Sequence, residues 1–214
     1  MNKTIFFLIT FLLATYTIFS QEQKIKFGVK AGLNISKFTP VRSDFEEFDT
    51  FRNKVSFFIG GFSNISLSNR LKLQPEVVFA VQGTGIKTGD FTFQESPSDP
   101  VINIGHYEGV VNDYTLVVPV MTQFYVVKNF FIEAGPEFNI LVDRKEIERK
   151  GLDIDVFGPN PDPDFESFNF TIAFGGGFSF NDHLQVNLRY SAGITEVSNS
   201  YKTTVLNLGL GYTF

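Results

Sequence analysis

The stretch VLNLGLGYTF, residues 205–214 at the end of the chain, decides the fold. Large apolar side chains alternate with small or polar ones. One face carries Leu206, Leu208, Leu210, Tyr212 and Phe214, and the other carries Val205, Asn207, Gly209, Gly211 and Thr213. A period of two indicates a β-strand, because successive side chains of a strand point to opposite sides of the sheet. The medium that meets the broad apolar face then decides the class of protein.

The same alternation recurs along the chain and predicts eight strands. They cover residues 25–36, 55–67, 71–82, 114–126, 130–142, 168–180, 184–195 and 203–214. A usual strand has about 5–6 residues, and these are roughly twice as long. A tilted strand that crosses a bilayer needs about 9–11 residues, so each predicted strand is long enough to do so.

The connections between the predicted strands alternate in length. Three are tight turns, at residues 68–70, 127–129 and 181–183, and four are longer and polar, at residues 38–53, 87–113, 143–167 and 197–202. Short turns at one rim, long loops at the other and an even number of strands are typical of outer-membrane barrels. The sequence therefore predicts an all-β fold, an eight-stranded antiparallel up-and-down transmembrane β-barrel.

A two-sheet sandwich or a lipocalin-like barrel is the soluble alternative, with the large apolar face turned inward. The other face would then meet water and should be rich in Lys and Glu. It consists mainly of Gly, Ser, Asn and Thr, which suits a narrow interior filled by side chains. Backbone groups in lipid must all be paired, so we expect the last strand to pair with the first and close the barrel.

The N-terminus reads MNKTIFFLITFLLATYTIFSQEQK and has the features of an export signal. A basic residue, Lys3, precedes an apolar run, and small and polar residues follow. We predict a cleaved signal peptide at residues 1–20, a barrel domain at residues 21–214 and a location in the outer membrane. The alternative is an anchor helix, but residues 5–19 are fewer than the ~20 that a span needs.

The composition excludes several classes of function. The chain has no cysteine, which excludes disulfides, thiolate metal sites and cysteine catalysis. Its net charge is −5, whereas a nucleic-acid partner calls for a basic surface. Its aromatic residues are 27 Phe and 7 Tyr without Trp, and the mean hydropathy is +0.04.

Several stretches resemble the PorT-like family of outer-membrane β-barrel proteins of Gram-negative bacteria. They are FGVKAGLNIS at residues 27–36, YTLVVPVMTQFYV at 114–126, FFIEAGPEFNILV at 130–142 and LNLGLGYTF at 206–214. The resemblance implies a porin-like barrel in the outer membrane and no set of catalytic residues. The C-terminal strand also resembles the sorting signal that the barrel assembly machinery reads.

Four groups of polar or small residues are candidate sites, and none has the context of a known motif. His106 lies near Ser96, Ser98 and Asp113 in the longest loop, as a hydrolase at the barrel rim would require. His183 lies in a tight turn, where we expect it to be solvated. Possible Ca²⁺ ligands in one loop are Asp153, Asp155, Asp162 and Asp164, but their spacing matches no EF-hand. The run Gly175–Gly177 lacks the lysine and helix of a phosphate loop, so we predict crowding in the lumen there. We therefore predict no catalytic, cofactor-binding or metal site.

Charges of both signs fall on the inward face. They are Lys26, Lys30, Lys72, Arg189, Glu76, Glu133 and Glu137. Because an isolated buried charge is costly, we predict a salt-bridge network that plugs the barrel, with Glu133 and Glu137 engaging partners at different heights. The alternative is that these residues lie near the rims and face water.

The sequence thus predicts a non-enzymatic barrel with a structural or surface-binding role, long extracellular loops and no open pore. The alternatives are a small-solute channel and a lipid-modifying enzyme at the barrel rim. The expected partners are outer-membrane lipid, lipopolysaccharide and, during biogenesis, the assembly machinery. The sequence does not identify an extracellular ligand.

Overall fold

The computed structural model describes residues 25–41, 49–94, 100–150, 166–197 and 201–214. These residues form strands β1 (Ile25–Pro40), β2 (Asp49–Arg52), β3 (Lys54–Ser66), β4 (Leu71–Thr88), β5 (Phe91–Phe93), β6 (Ile102–Gly105), β7 (Glu108–Tyr125), β8 (Phe130–Lys150), β9 (Phe168–Ser179), β10 (Leu184–Gly193) and β11 (Tyr201–Thr213). Within these ranges, no helix is long and apolar enough to cross a membrane.

Eight strands close into an antiparallel ring, as the sequence predicts. The order around the ring is β1, β3, β4, β7, β8, β9, β10 and β11, with β11 paired to β1. The short strand β2 pairs with β4 beyond the ring, and β5 and β6 form a separate hairpin. The connections at residues 67–70, 126–129 and 180–183 are short, so the tight turns are confirmed within a residue.

The last strand closes the barrel. Its pairing with β1 runs from Gly28 opposite Thr213 to Pro40 opposite Tyr201. The Phe214 amide then donates a hydrogen bond of 2.9 Å to the Phe27 carbonyl, one step beyond the ladder. The prediction that the first and last strands pair is therefore confirmed.

The large apolar side chains point outward and the small or polar ones inward. Exposed residues include Val29, Leu33, Phe57, Ile132, Phe174, Leu188, Leu208 and Leu210. Exposed aromatic residues at the rim of tight turns are Phe27, Phe124, Phe130, Phe178, Phe180, Tyr212 and Phe214. An apolar band bordered by aromatic residues suits a lipid exterior and excludes the soluble alternative, which needs these side chains inside.

Three strands extend six to eight residues beyond their predicted ends. β4 continues to Thr88, β7 begins at Glu108 and β8 continues to Lys150, so the ends of two predicted loops are strand instead. These segments are polar, since they lie on the loop side of the apolar band and no longer need lipid-facing residues. The alternation that marks the membrane strands is therefore absent there, although the backbone pairing of β4, β7 and β8 continues.

β4 separates from β3 after Ala80. Pairing between β3 and β4 ends at Phe58 and Ala80, and Gly83 takes a φ of 115°, which favours glycine. The alternation of residues 71–82 places Val81 on the same face as Phe79, and its cross-strand partner is Tyr114, whose ring stacks on Phe79, but Val81 is 7% exposed.

Side chains of β1 and β3 satisfy the carbonyls that β4 frees at this point. Asn34 Nδ2 and Ser56 Oγ donate to the Val81 carbonyl, Lys54 Nζ to that of Gln82 at 2.6 Å, and Ser36 Oγ to that of Gly83 at 2.8 Å. Side chains thus tie the extended end of β4 to β1 and β3, with which it does not pair there, while its pairing with β7 continues.

Candidate functional site

Five charged side chains meet in the middle of the lumen, and we call them the central network: Lys30, Glu76, Glu133, Glu137 and Arg189. Lys30 Nζ lies 2.9 Å from Glu76 Oε2, and Arg189 Nη2 lies 2.7 Å from Glu76 Oε1. Arg189 also reaches Glu133, at 3.0 Å from Nε, and Glu137, at 3.6 Å from Nη1. All five are buried, so the network joins strands on opposite sides of the barrel.

Uncharged donors complete the hydrogen bonding of the carboxylates. The network has three acids and two bases, so cations alone do not balance it. Gln74 Nε2 donates to Glu76 at 2.7 Å, Asn187 Nδ2 to Glu133 at 3.1 Å and Thr171 Oγ1 to Glu137 at 2.9 Å. A buried carboxylate is tolerated when such donors surround it.

Gly175 allows Arg189 and Glu133 to meet across a strand. It is paired with Glu133 of β8 on one side and with Arg189 of β10 on the other. All three residues belong to the inward face, and glycine places no side chain between the other two. A Cβ added at Gly175 would overlap the backbone of Leu188 and Arg189. Gly175 and Gly177 of the run therefore allow close packing in the lumen, as predicted, whereas Gly176 is on the outward face.

Three phenylalanine rings fill the lumen beside the network. Phe58 lies over Gly32, Phe62 over Gly28 and Phe131 over Gly177, each glycine being the cross-strand partner of its ring. The rings are buried, and the cavity that remains beside Arg189 measures about 30 Å³. This volume has room for only a few water molecules.

An aromatic cluster and an ion pair close the loop-side end of the lumen. Phe38, Phe51 and Tyr201 pack together, with Phe51 and Tyr201 centroids 4.9 Å apart. Arg144 donates two hydrogen bonds to Asp113, at 2.5 and 2.6 Å, and its guanidinium lies 5.5 Å from the centre of the Phe38 ring. A second barrier thus lies beyond the central network.

The outer cavity, about 440 Å³, lies on the loop side and is lined by Arg52, Lys54, Lys87, Glu108 and neighbouring residues. Lys87 Nζ lies 2.6 Å from Glu108 Oε1. The hydrogen bond from Lys87 holds the pKa of the Glu108 carboxyl below its usual value. Glu108 is the outermost residue of β7, on the loop side of the apolar band.

The inner mouth, at the rim of tight turns, is a cavity of about 430 Å³. Its lining includes Lys26, Asn64, Ser66, Lys72, Tyr125, Lys128, Asp182 and His183. The inner mouth and the outer cavity lie at opposite ends of the strands.

The structure does not assemble the sequence-derived candidates for a rim hydrolase. His106 contacts Asp90 at 3.1 Å and Glu108 at 3.6 Å, whereas Asp113 is engaged by Arg144. Ser96 and Ser98 lie outside the described residues, as do Asp153, Asp155, Asp162 and Asp164. Across the described ranges, no group of three His, Asp or Glu side chains is arranged to hold a metal ion. His183 lies at the rim, where its Nδ1 is 2.8 Å from the Thr213 carbonyl oxygen.

The predicted salt-bridge network exists, but with fewer members and a different arrangement. Lys26 is exposed at the inner mouth, and Lys72 contacts the Tyr125 hydroxyl at 3.1 Å, so neither belongs to the network. Glu133 and Glu137 do engage uncharged donors at different heights, Asn187 and Thr171, but contrary to the prediction both also contact Arg189. Four residues of strand span roughly 13 Å, but the long side chains converge on one guanidinium.

Sequence reasoning missed the uncharged members of the site. Gln74, Gln123 and Asn187 are polar residues on inward positions, and alternation alone could have marked them as lumen-facing. Their contacts could not be predicted from alternation, because the closed barrel brings together residues that are far apart in the sequence. Glu76 and Arg189, for example, are separated by 113 positions.

Comparison with known proteins agrees with this architecture. Residues 19–199 match the family described as "Outer membrane protein beta-barrel domain". The chain belongs to this family. The protein is accordingly an outer-membrane β-barrel protein, and its apolar exterior faces lipid. No curated protein matches the sequence.

Solved structures of outer-membrane barrels are similar at low sequence identity. Neisserial surface protein A aligns with a TM-score of 0.47 and 12% identity, over 90% of this chain and 100% of that one. The attachment invasion locus protein Ail of Yersinia pestis aligns with a TM-score of 0.45 and 10% identity, over 91% of this chain and 100% of that one. The outer membrane protein OprG of Pseudomonas aeruginosa aligns with a TM-score of 0.39 and 13% identity, over 90% of this chain and 97% of that one.

Proposed function

We propose that this protein is a surface barrel without an open pore, whose role lies in its extracellular β-extension and loops. The observation that carries the proposal is the central network, which crosses the lumen and leaves a cavity of only about 30 Å³ beside Arg189. Hydrated ions need a continuous water path, and open channels are found in barrels of about 16–18 strands.

The extended strands support a role at the cell surface. β4 and β7 each have 18 residues and β8 has 21, whereas crossing a bilayer takes about 9–11. The additional length carries the β5–β6 hairpin and the neighbouring loops beyond the lipid. Lipopolysaccharide is the first partner that such an extension would meet, and we include it in the proposal.

We further propose that the chain belongs to the PorT-like branch of barrel proteins, on the resemblance of its EAGP strand and its C-terminal strand. This assignment adds no catalytic residue. We also propose that the barrel is not an enzyme, since His106 and Asp113 are engaged by different partners.

Single-channel recording in planar bilayers tests the absence of a pore. We expect no stable conductance steps from the folded protein, because the network and the Phe38 cluster both block the lumen. A wide porin inserted into the same membrane is the control for reconstitution. Stable steps from the wild-type barrel would instead support the small-solute channel.

Replacing residues 89–107 by a short turn tests the role of the surface extension. Thr88 and Glu108 are near the ends of the paired β4–β7 extension, so the barrel should remain folded. We expect the variant to lose capture of purified lipopolysaccharide while keeping its melting behaviour. Unchanged capture would place any such role elsewhere on the barrel.

A further inference from the structure

The inner mouth presents an arc of polar side chains over three neighbouring strands. Lys26 of β1 is directly opposite Asn64 of β3, and Ser66 of β3 is directly opposite Lys72 of β4. Cross-strand partners on one face have Cβ atoms about 4.5–5.5 Å apart. The two lysines therefore flank Asn64 and Ser66 at the edge of the cavity of about 430 Å³.

The lysines of this arc pair with no acid among the described residues. Within the part of the chain that the structure describes, no carboxylate lies within 4.0 Å of the amino groups of Lys26, Lys72 or Lys128. Lys72 makes only uncharged contacts, with the hydroxyl of Tyr125 at 3.1 Å and with its ring at 4.3 Å. Three lysines and one acid, Asp182, line the cavity of a protein whose net charge is −5.

Asn64 gives a second, independent indication of a ligand. Asn64 is 7% exposed and lines the cavity, and no described residue donates a hydrogen bond to its Oδ1. A buried polar atom without a partner costs about 1–3 kcal/mol, so such atoms are uncommon in folded proteins. A donor supplied by a ligand would satisfy this oxygen.

The outer cavity has basic residues too, but its lysines are already engaged. Lys87 pairs with Glu108 at 2.6 Å, and Lys54 donates to the Gln82 carbonyl at 2.6 Å. Its lining also contains none of the buried atoms that lack a hydrogen-bond partner. Positive charge without an acidic partner and an unsatisfied acceptor occur together at the inner mouth.

We propose that the inner mouth is a binding site for a small oxyanion that carries an N–H or O–H donor next to its anionic group. Lys26 and Lys72 bind the anion, and Asn64 Oδ1 accepts the hydrogen bond from the donor. The C-terminus of a peptide has this chemistry, because its carboxylate is one carbon away from its own amide N–H. Glycerol phosphate offers the same combination with a hydroxyl. A cavity of this volume lies within the usual range for small ligands, about 300–1,000 Å³.

Isothermal titration of the folded barrel in detergent tests the site. The probes are N-acetyl-alanyl-alanine, its C-terminal amide, glycerol phosphate, inorganic phosphate and acetate. We expect the free dipeptide to bind more tightly than acetate and its amide not to bind. The ratio of the affinities for the dipeptide and for glycerol phosphate shows whether the natural ligand is a carboxylate or a phosphate. Equal binding of the dipeptide and its amide, or binding of no probe, would overturn the proposal.

Variants assign the two parts of the ligand to residues. Lys26→Gln and Lys72→Gln should each weaken dipeptide binding by about tenfold, the loss of one charge-assisted hydrogen bond. Asn64→Ala should reduce the preference for the dipeptide over acetate while leaving acetate binding unchanged. The control is Lys37→Gln, because Lys37 is exposed near the other end of β1. Unaltered affinity in the Lys26 and Lys72 variants, with folding checked by gel mobility, would exclude this site.

Discussion

Arg189 is the residue on which the lumen depends most. Its guanidinium contacts three carboxylates, and its removal would leave Glu76, Glu133 and Glu137 close together with Lys30 as the remaining cation of the network. We expect Arg189→Ala to lower the free energy of unfolding by about 3–5 kcal/mol, since uncompensated buried charge is costly. Heat-modifiable gel mobility and urea unfolding in lipid vesicles both measure this loss.

The free energies of unfolding of several network variants are more informative together than the value for one variant. Glu137→Ala should cost less than Arg189→Ala, because Glu137 makes a longer contact with Arg189, at 3.6 Å. Lys145→Ala is the matched control, since Lys145 forms an exposed pair with Asp143 at 3.8 Å. Exposed pairs contribute about 0–1 kcal/mol. If Arg189→Ala and Lys145→Ala unfold alike, the network does not stabilise the barrel.

Gly175→Ala tests whether the missing side chain matters. The new methyl group would overlap the Leu188 carbonyl and the Arg189 Cα, so β9 and β10 would have to separate beside the network. We expect a loss of stability of about 1–3 kcal/mol, the usual cost of overpacking, in urea unfolding. Gly61→Ala is the control, because a Cβ there would meet only the Gly28 carbonyl oxygen, at 3.7 Å. Equal midpoints for the two variants would contradict this account.

Among the elements, the membrane strands could be predicted and the extensions could not. Lipid outside and a narrow lumen inside impose a strict alternation of large apolar and small or polar residues. β1, β9 and β11 could be recognised from this alternation alone, as in the pair Leu208 and Gly209 of β11. Beyond the lipid both faces tolerate polar residues, and the strand ends near Thr88 and Lys150 looked like loop. The separation of β4 from β3 after Ala80 also left no signal in the alternation of residues 71–82.

The pairing of the end of β11 with β1 predicts how the barrel assembles. Deleting Tyr212–Phe214 removes the pairing of Tyr212 with Val29 and of Thr213 with Gly28, as well as the hydrogen bond from Phe214 to Phe27. Unpaired backbone groups in lipid are costly, so we expect much less folded protein in the outer membrane. Surface labelling and heat-modifiable mobility measure this amount.

A variant with both Tyr212→Ala and Phe214→Ala separates backbone closure from side-chain effects. It keeps every backbone donor and acceptor of the ladder but removes the aromatic side chains, which pack with centroids 5.9 Å apart. A milder defect than that of the deletion indicates that closure dominates. An equal defect indicates that the aromatic residues are required, as a sorting signal would be. Normal surface levels of the deletion would contradict both.

For the whole molecule, the sequence indicated that charges enter the lumen but not how they combine. Alternation placed Lys26, Lys30, Lys72 and Arg189 on the inward face. The sequence around each residue does not show whether it is buried in the lumen or lies at the rim. That separation depends on the stagger of strands around the closed ring. It joins Arg189 to Glu76 across 113 positions and leaves Lys26 and Lys72 at the inner mouth.

Orientation in the membrane and closure of the lumen can be tested together, because the chain has no cysteine and a single introduced thiol is unique. Thr92→Cys lies on the β5–β6 hairpin, Lys128→Cys in a tight turn, and Ser191→Cys in the lumen. Ser191 is 2% exposed and its Oγ makes no hydrogen bond, so sulfur should replace oxygen at little cost.

A bulky, membrane-impermeant maleimide should distinguish the three positions, since thiol labelling follows accessibility. On intact cells we expect labelling at 92 alone, because short turns of outer-membrane barrels face the periplasm. Permeabilised outer membranes should add position 128, while 191 should react only after the barrel unfolds. Labelling at 128 but not 92 on intact cells would invert the orientation. Labelling at 191 in the folded protein would mean that the lumen admits large solutes, and the closed-barrel proposal would fail.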